Sequence, residues 1–471
     1  MRLLETELYR AELKARMPFR YGIATMTALP HVFLRVTCEF AGRVRTGVAA
    51  DHLPPKWFTK DPSRDPVEEI ADMVGVIRQA QSHALSVGSA PTVFAFWRAL
   101  LDRQDAWAQA GSVPRLLAQF GASLVERAAI DAFCRHTGQP FVSALRSNAF
   151  GVDLGSIHPE LAGTDPGDWL PADPPRKIFA RHTVGLSDPL AEGDISASER
   201  LHDGLPQSLE KCIAAYGLRH FKLKVGGADD VPRLRSIAAV LARAAPGDYA
   251  CSLDGNEAFH SVAAFKAFWK DVCGDPALAE LRRRLMFIEQ PFHRDIVLSA
   301  AIGGLATELP DRPPIIIDES DAGLASLPQA LALGYAGTSH KNCKGVFKGV
   351  ANACLISRLR RERPESRWLL TGEDLGNIGP VALLQDLAVQ AALGVMSVER
   401  NGHHYFAGLS FWPAALQAQI REHHPDLYTD SAQGWPTLRI ENGQVSVESV
   451  LAAPFGVGFD VDPASLARLV V

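Results

Sequence analysis

From Ile178 onward the chain repeats one pattern, in which a short apolar run stops on a charged side chain and a stretch of helical periodicity follows. Phe221-Lys-Leu-Lys ends on Lys224, Tyr249 to Leu253 stops on Asp254, Leu285 to Ile288 on Glu289, Ile315 to Ile317 on Asp318, and Gly337-Thr-Ser-His reaches Lys341. A short apolar run fits a strand buried on both faces, and a recurrence of roughly 25 to 35 residues is one strand, one helix and two turns. The spacing predicts a parallel βα series. Its first strand is Ile178-Phe-Ala-Arg-His-Thr-Val, its seventh Trp368 to Gly372 and its eighth Val395 to Val398, with a helix over Val381 to Leu393 between the last two. Right-handed crossovers deliver all strand C-termini to one face, so charges scattered along the sequence meet at one mouth.

The earlier part reads differently. Residues 1 to about 60 alternate in the strand manner, with a turn at Gly42, and predict an antiparallel sheet. Helices are expected over Asp65 to Leu85, Thr92 to Gln109 and Val113 to Thr137. The stretch 147–177 is rich in Pro, Gly and Asp, shows no sustained period and reads as a long connecting loop. The resulting organisation is an α+β segment 1–146, the loop 147–177, the βα series 178–411 and a tail 412–471. Strand-like Thr437 to Glu441 and Gln444 to Val447 point that tail back to the N-terminal segment.

Composition narrows the function more than the fold. A chain of 471 residues has room for a large barrel with a partner domain, and a net charge of −5 offers no basic stripe for nucleic acid. No apolar segment is long enough to cross a membrane, and acids stand where a secretory signal needs an apolar core. Seven cysteines, odd in number and without a CxxC pair, favour reduced thiols in a cytoplasm over disulfides or a zinc site.

The ordered set Lys222-x-Lys224, Asp254-x-Asn256, Glu289-Gln-Pro291, Asp318-Glu-Ser320 and Lys341-x-x-Lys344 resembles the enolase superfamily, and within it the muconate lactonizing enzyme subgroup of the mandelate racemase/muconate lactonizing enzyme family. Pro18 to Thr25 is similar to the substrate-covering loop of that family's cap, and Val125 to Phe133 to the cap helix before its barrel. The resemblance implies an α/β fold, a modified (β/α)7β TIM-type barrel with an α+β capping domain. It implies Mg²⁺, or Mn²⁺, held by Asp254, Glu289 and Asp318, with Lys224 and Lys341 as acid/base groups, and a symmetric oligomer. Three hard carboxylate oxygens suit such an ion rather than zinc. A proton next to a carboxylate is hard to remove because an enediolate carries two negative charges, which a divalent ion stabilises.

Alternation puts Lys222 and Lys224 on one strand face, so repulsion and burial are expected to disfavour protonated Lys224, making it the base and Lys222 its tuner. Lys341, from a strand across the barrel, addresses the opposite substrate face. Substrate contacts are assigned to Asn256, Arg20, Tyr21, Lys344, Asp374 and His182, and the segment Leu53 to Phe58 to specificity. The chain departs from the family after Lys341, where Asn342-Cys-Lys344 replaces a Lys-x-Gly-Gly-like turn, and at strand seven, where Glu373 and Asp374 precede Leu375. His403 and His404 sit near the end of strand eight without an assigned role.

The leading reading is a metal-dependent enzyme that abstracts the proton α to a small-molecule carboxylate, as a racemase, epimerase or cycloisomerase of an acyl amino acid, dipeptide or related acid. A sugar-acid dehydratase of the mandelate racemase type is the alternative, and Glu373 stands where it would want a histidine. A non-catalytic acid-binding barrel and a Schiff-base aldolase complete the set.

Overall fold

The structure, a computed structural model, describes residues 1–21, 24–303, 305, 309 and 312–470, without the side chains of residues 20, 21, 24 and 228. The predicted substrate contacts of the Arg20 and Tyr21 side chains therefore fall outside the described residues. The chain begins with an antiparallel sheet of β1 (Arg2–Tyr21), β2 (Ala24–Phe40) and β3 (Arg43–His52). Ala41 and Gly42 turn β2 into β3 with φ of 48° and 79°, the backbone a two-residue hairpin requires.

Three helices follow: α1 (Pro66–Ser86), α2 (Val93–Ala110) and α3 (Arg115–Thr137). Asp65 and Thr92 cap the first two through side-chain oxygens that accept from Val67 N and Ala95 N. Most of α3 is buried, because both sides of it are covered. On one side Gly47 of β3 lets the helix approach so closely that a Cβ there would lie 2.2 Å from Ala128 O. Toward the barrel, the Glu126 carboxylate accepts from Val346 N and Phe347 N at the start of the helix Val346–Glu362. The buried Arg127 donates to Asp51 at 2.8 Å.

Eight parallel strands close into a barrel: β4 (Lys177–Val184), β5 (His220–Lys224), β6 (Ala250–Asp254), β7 (Leu285–Glu289), β8 (Ile315–Ile317), β9 (Gly337–His340), β10 (Leu369–Gly372) and β11 (Ser397–Glu399), with β11 pairing back to β4. The all-isoleucine β8 is fully buried, as expected of a strand covered on both faces. Lys224 pairs in register with Asp254, and Asp254 with Glu289, so these three side chains leave the strands at one level.

Two expectations need correction. The stretch 147–177 contains short helical turns at Leu154–Ser156, Pro159–Leu161 and Pro166–Trp169, too brief to show a period; it packs on the helix Val346–Glu362, where His158 Nε2 meets Asn352 Oδ1 at 2.9 Å. The tail returns to two places rather than one. After the hairpin of β12 (Tyr428–Asp430) and β13 (Pro436–Leu438), β14 (Gln444–Ser446) runs antiparallel to the start of barrel strand β4. Only β15 (Arg468–Leu469) reaches the N-terminal sheet, at β1.

Candidate active site

A pocket lies where the cap meets the C-terminal ends of the barrel strands. Its floor carries Lys222, Lys224, Asp254, Asn256, Asp318, Glu319, Lys341, Asp374 and Glu399, while Phe19, Met26, Leu29, Pro54 and Trp57 supply an apolar roof. The register that levels Lys224 with Asp254 and Glu289 is what assembles this floor. Further round the ring Glu289 pairs with Ile316 and Ile317 with Thr338, so Asp318 and Lys341 extend beyond the paired ends of their strands into the pocket.

Lys222 occupies the centre. Its ammonium lies 2.8 Å from Asp254, 3.0 Å from Glu289, 2.9 Å from Glu373 and 2.7 Å from Glu399. Burial works against this ammonium, yet the four carboxylates outweigh it and hold its pKa well above the ordinary lysine value. Asp254 Oδ2 also accepts from Lys224, so a carboxylate sits between the two lysines whose mutual repulsion the sequence suggested. Lys222 is thus a fixed cation that gathers acids from four strands.

Asp318 is held just as firmly. Lys344 reaches its Oδ1 at 2.6 Å and its main-chain oxygen at 2.7 Å, Lys341 reaches Oδ2 at 2.8 Å, and Ser339 donates to Oδ1. Burial opposes ionisation, but these lysines bring the Asp318 carboxyl well below its usual range. Gln290, with φ of 24°, accepts from Asp318 N and Ser320 N and so fixes the loop that presents Asp318. The second contact of Lys341 is Glu373 at 2.9 Å, and the Trp57 ring stands 4.5 Å from its nitrogen. Lys341 is also buried, and Asp318 and Glu373 hold it protonated against that burial.

The carboxylates test well against a hard dication. Glu289, Asp318 and Glu373 offer oxygens within 4.8 Å of one another. Glu289 Oε2 is buried without a hydrogen-bond partner, and Glu373 Oε2 faces Lys341 without hydrogen-bond geometry. Unsatisfied buried carboxylate oxygens converging on one point fit Mg²⁺ or Mn²⁺. The grouping differs from the predicted ligand set. Glu373 stands with Glu289 and Asp318, whereas Asp254 is engaged by Lys222 and Lys224.

Of the remaining predicted contacts, Asn256 and Asp374 line the pocket, the latter ion-paired with the buried Arg400. Burial pushes the Asp374 carboxyl up to about 6 despite that partner. Lys344, assigned as a substrate contact, does not line the pocket; its ammonium is turned to Asp318 instead. His182 lies away from the pocket, since alternation along β4 sends Arg181 and Thr183 toward Glu373 and Glu399 and His182 to the other face.

Sequence reasoning overlooked Glu399, Gln290, Lys60 and Glu319. Glu399 closes the eighth strand and the rule of a charged strand end points to it. Lys60, in the cap, donates to Asn256 O and lies 3.3 Å from Glu257, a contact between segments far apart in sequence. Burial and the neighbouring Asp318 push Glu319 up to about 7.

No protein-family profile and no curated protein matches the sequence. Solved structures do match. A mandelate racemase/muconate lactonizing protein from Herpetosiphon aurantiacus aligns over 97% of this chain and 98% of its own, at 18% identity and a TM-score of 0.57. An enolase superfamily member from Listeria innocua aligns over 99% and 96%, at 15% identity and 0.60. A dipeptide epimerase from Cytophaga hutchinsonii, solved with Mg and the dipeptide D-Ala-L-Val, aligns over 87% and 89%, at 16% identity and 0.57. With a closed eight-stranded parallel barrel, a cap over its mouth and these alignments along nearly its whole length, the chain has the fold of the enolase superfamily in its mandelate racemase/muconate lactonizing form.

Proposed function

We propose that this protein is a divalent-metal-dependent enzyme that removes and returns the proton α to a carboxylate, with inversion of an acyl amino acid, dipeptide or related acid as the overall change. The observation that carries the reading is the placement of Lys224 and Lys341. They close β5 and extend β9, half-way round the eight-strand ring from each other, and both line the one pocket. A planar intermediate between them presents one face to each.

Glu289 and Asp318, with Glu373 or Asp254 beside them, would hold the ion, which when bound supplies stabilisation of the charge that develops on the substrate carboxylate. Lys224, at the pocket edge against Asp254, takes the α-proton. Lys341, kept charged by Asp318 and Glu373 and steered by Trp57, donates one to the opposite face. The apolar roof of Phe19, Met26 and Leu29 excludes water and accepts an apolar side chain. Lys222 keeps the acids assembled while the proton moves.

The test is α-proton exchange in D₂O, followed by NMR with Mg²⁺ over a panel of N-acyl amino acids, dipeptides and sugar acids. Exchange into both enantiomers of one amino-acid derivative supports the reading. Exchange with loss of water from a sugar acid would replace it by dehydration, and no exchange from any acid would remove it.

A further inference from the structure

A second cluster of ligand-bearing side chains lies where the first and last barrel units meet, and none of it lines the pocket. His182 projects from the outer face of β4. Cys212 comes from a buried position of the helix Leu209–Tyr216, the first after β4, and His403 and His404 from the turn Gly402–Tyr405 that follows β11. All four are buried. His182 Nδ1 and both ring nitrogens of His403 have no hydrogen-bond partner among the described residues. Such orphaned nitrogens are costly unless something pairs with them.

From this geometry we propose that His182, Cys212 and His404 form a three-ligand site for a zinc ion distinct from the carboxylate centre. One ligand atom from each of the three lies within 4.8 Å of the others. Cys212 Sγ and His404 Nδ1 are 3.5 Å apart. With Zn–S of about 2.3 Å and Zn–N of about 2.0 Å, a tetrahedral ion sets sulfur and nitrogen about 3.5 Å apart and two imidazole centres about 5 Å apart. The ring centres of His182 and His404 lie 4.9 Å apart.

Chemistry favours the same ion. Imidazole and thiolate select zinc over Mg²⁺, which the oxygens of the other site suit. Burial keeps the imidazoles neutral, the form that ligates, with His182 pushed down to about 4. The Cys212 thiol would give up its proton to solvent as its sulfur binds the ion, leaving one net positive charge. Of the charged groups around the cluster, Arg16 is neutralised by a two-point contact with Asp203, Asp188 accepts from Tyr405, and Glu192 accepts from Ser208. An ion here would pin the first barrel helix to the turn whose Tyr405 stacks on Phe19 of the pocket roof, 4.0 Å between ring centres.

The test uses the full-length protein, freed of metal by chelator and equilibrated with Co²⁺ in excess Mg²⁺, so that the carboxylate site is occupied. A thiolate-to-cobalt charge-transfer band that saturates at one equivalent, is displaced by Zn²⁺ and is absent from folded Cys212→Ser establishes the site. His404→Gln, read in the same way, should weaken the band and shift its ligand-field envelope. Absence of the band from folded wild-type protein, or an equal band in Cys212→Ser, would overturn the proposal and leave a neutral thiol–imidazole hydrogen bond.

Discussion

Two buried clusters of ionisable side chains lie at opposite surfaces of the same barrel wall, and they solve the problem of burial in opposite ways. At the mouth, Lys222 sits among four carboxylates and Asp318 among three amine or hydroxyl donors, so these two stay charged, whereas burial and the neighbouring Glu373 push the Glu289 carboxyl well above its usual range. Behind β4, His182, His403 and His404 face an uncharged thiol, and burial drives them neutral. Burial alone therefore does not set ionisation; the charge of the neighbours does. On the proposed function the charged cluster would orient substrate and move protons, whereas the neutral one offers lone pairs.

The largest break in this comparison comes from the charged side. Glu289→Gln should abolish Mg²⁺ binding by calorimetry and lower α-proton exchange by roughly a thousandfold or more, with the circular dichroism spectrum unchanged. Mg²⁺ affinity equal to wild type would remove Glu289 from the ion's ligands. Next in size are Lys224→Ala and Lys341→Ala, each expected to lose inversion by about 10² to 10⁴-fold while retaining solvent exchange of a single, different enantiomer. Exchange of both enantiomers by both variants at wild-type rate would show that neither lysine is the base.

Removing the central cation separates the clusters in stability. Lys222→Met leaves four acids without their shared partner, and urea unfolding of the metal-free protein should show a loss of about 3 to 5 kcal/mol. His403→Leu, in the cluster where no charge is lost, should cost less than about 1.5 kcal/mol in the same measurement. Equal losses would erase the distinction.

Acid sharpens it. The folded chain keeps His182 neutral down to about 4, whereas the unfolded chain protonates it near 6.5. Its contribution is therefore fully present above pH 6.5 and is lost as pH falls toward 4, at about 1.4 kcal/mol per pH unit per histidine. Asp318 and Glu373, held below the usual carboxylate range, contribute stability that is lost only at still lower pH, below about 4. Buried acids such as Glu126 and Glu319, pushed up to about 7, stabilise in the opposite direction, so the test is the difference between metal-free wild type and His182→Leu. The melting temperature of the wild type should fall more steeply below pH 6.5, and parallel profiles down to pH 4.5 would contradict a neutral His182. The smallest effect is expected of Trp57→Ala, which removes the ring beside Lys341, worth about 1 kcal/mol, and should change kcat/KM only several-fold.

The sequence by itself determined the barrel and most of its floor. Short apolar runs closed by Lys224, Asp254, Glu289, Asp318 and Lys341 carry their own periodicity, and the right-handed crossover leaves one face on which their ends can meet. It also located α1 to α3 to within a residue or two, because caps and apolar spacing are local. Tertiary structure alone decided which charge faces which. That Lys222 binds Glu373 and Glu399, that Lys344 turns from the pocket to Asp318, and that β14 joins the barrel while β15 joins the cap are contacts between residues far apart in the chain. The same holds for the gathering of His182, Cys212 and His404 from one strand, one helix and one turn. Periodicity is written into neighbouring residues, whereas the partner of a buried charge is fixed only when the strands close into a ring.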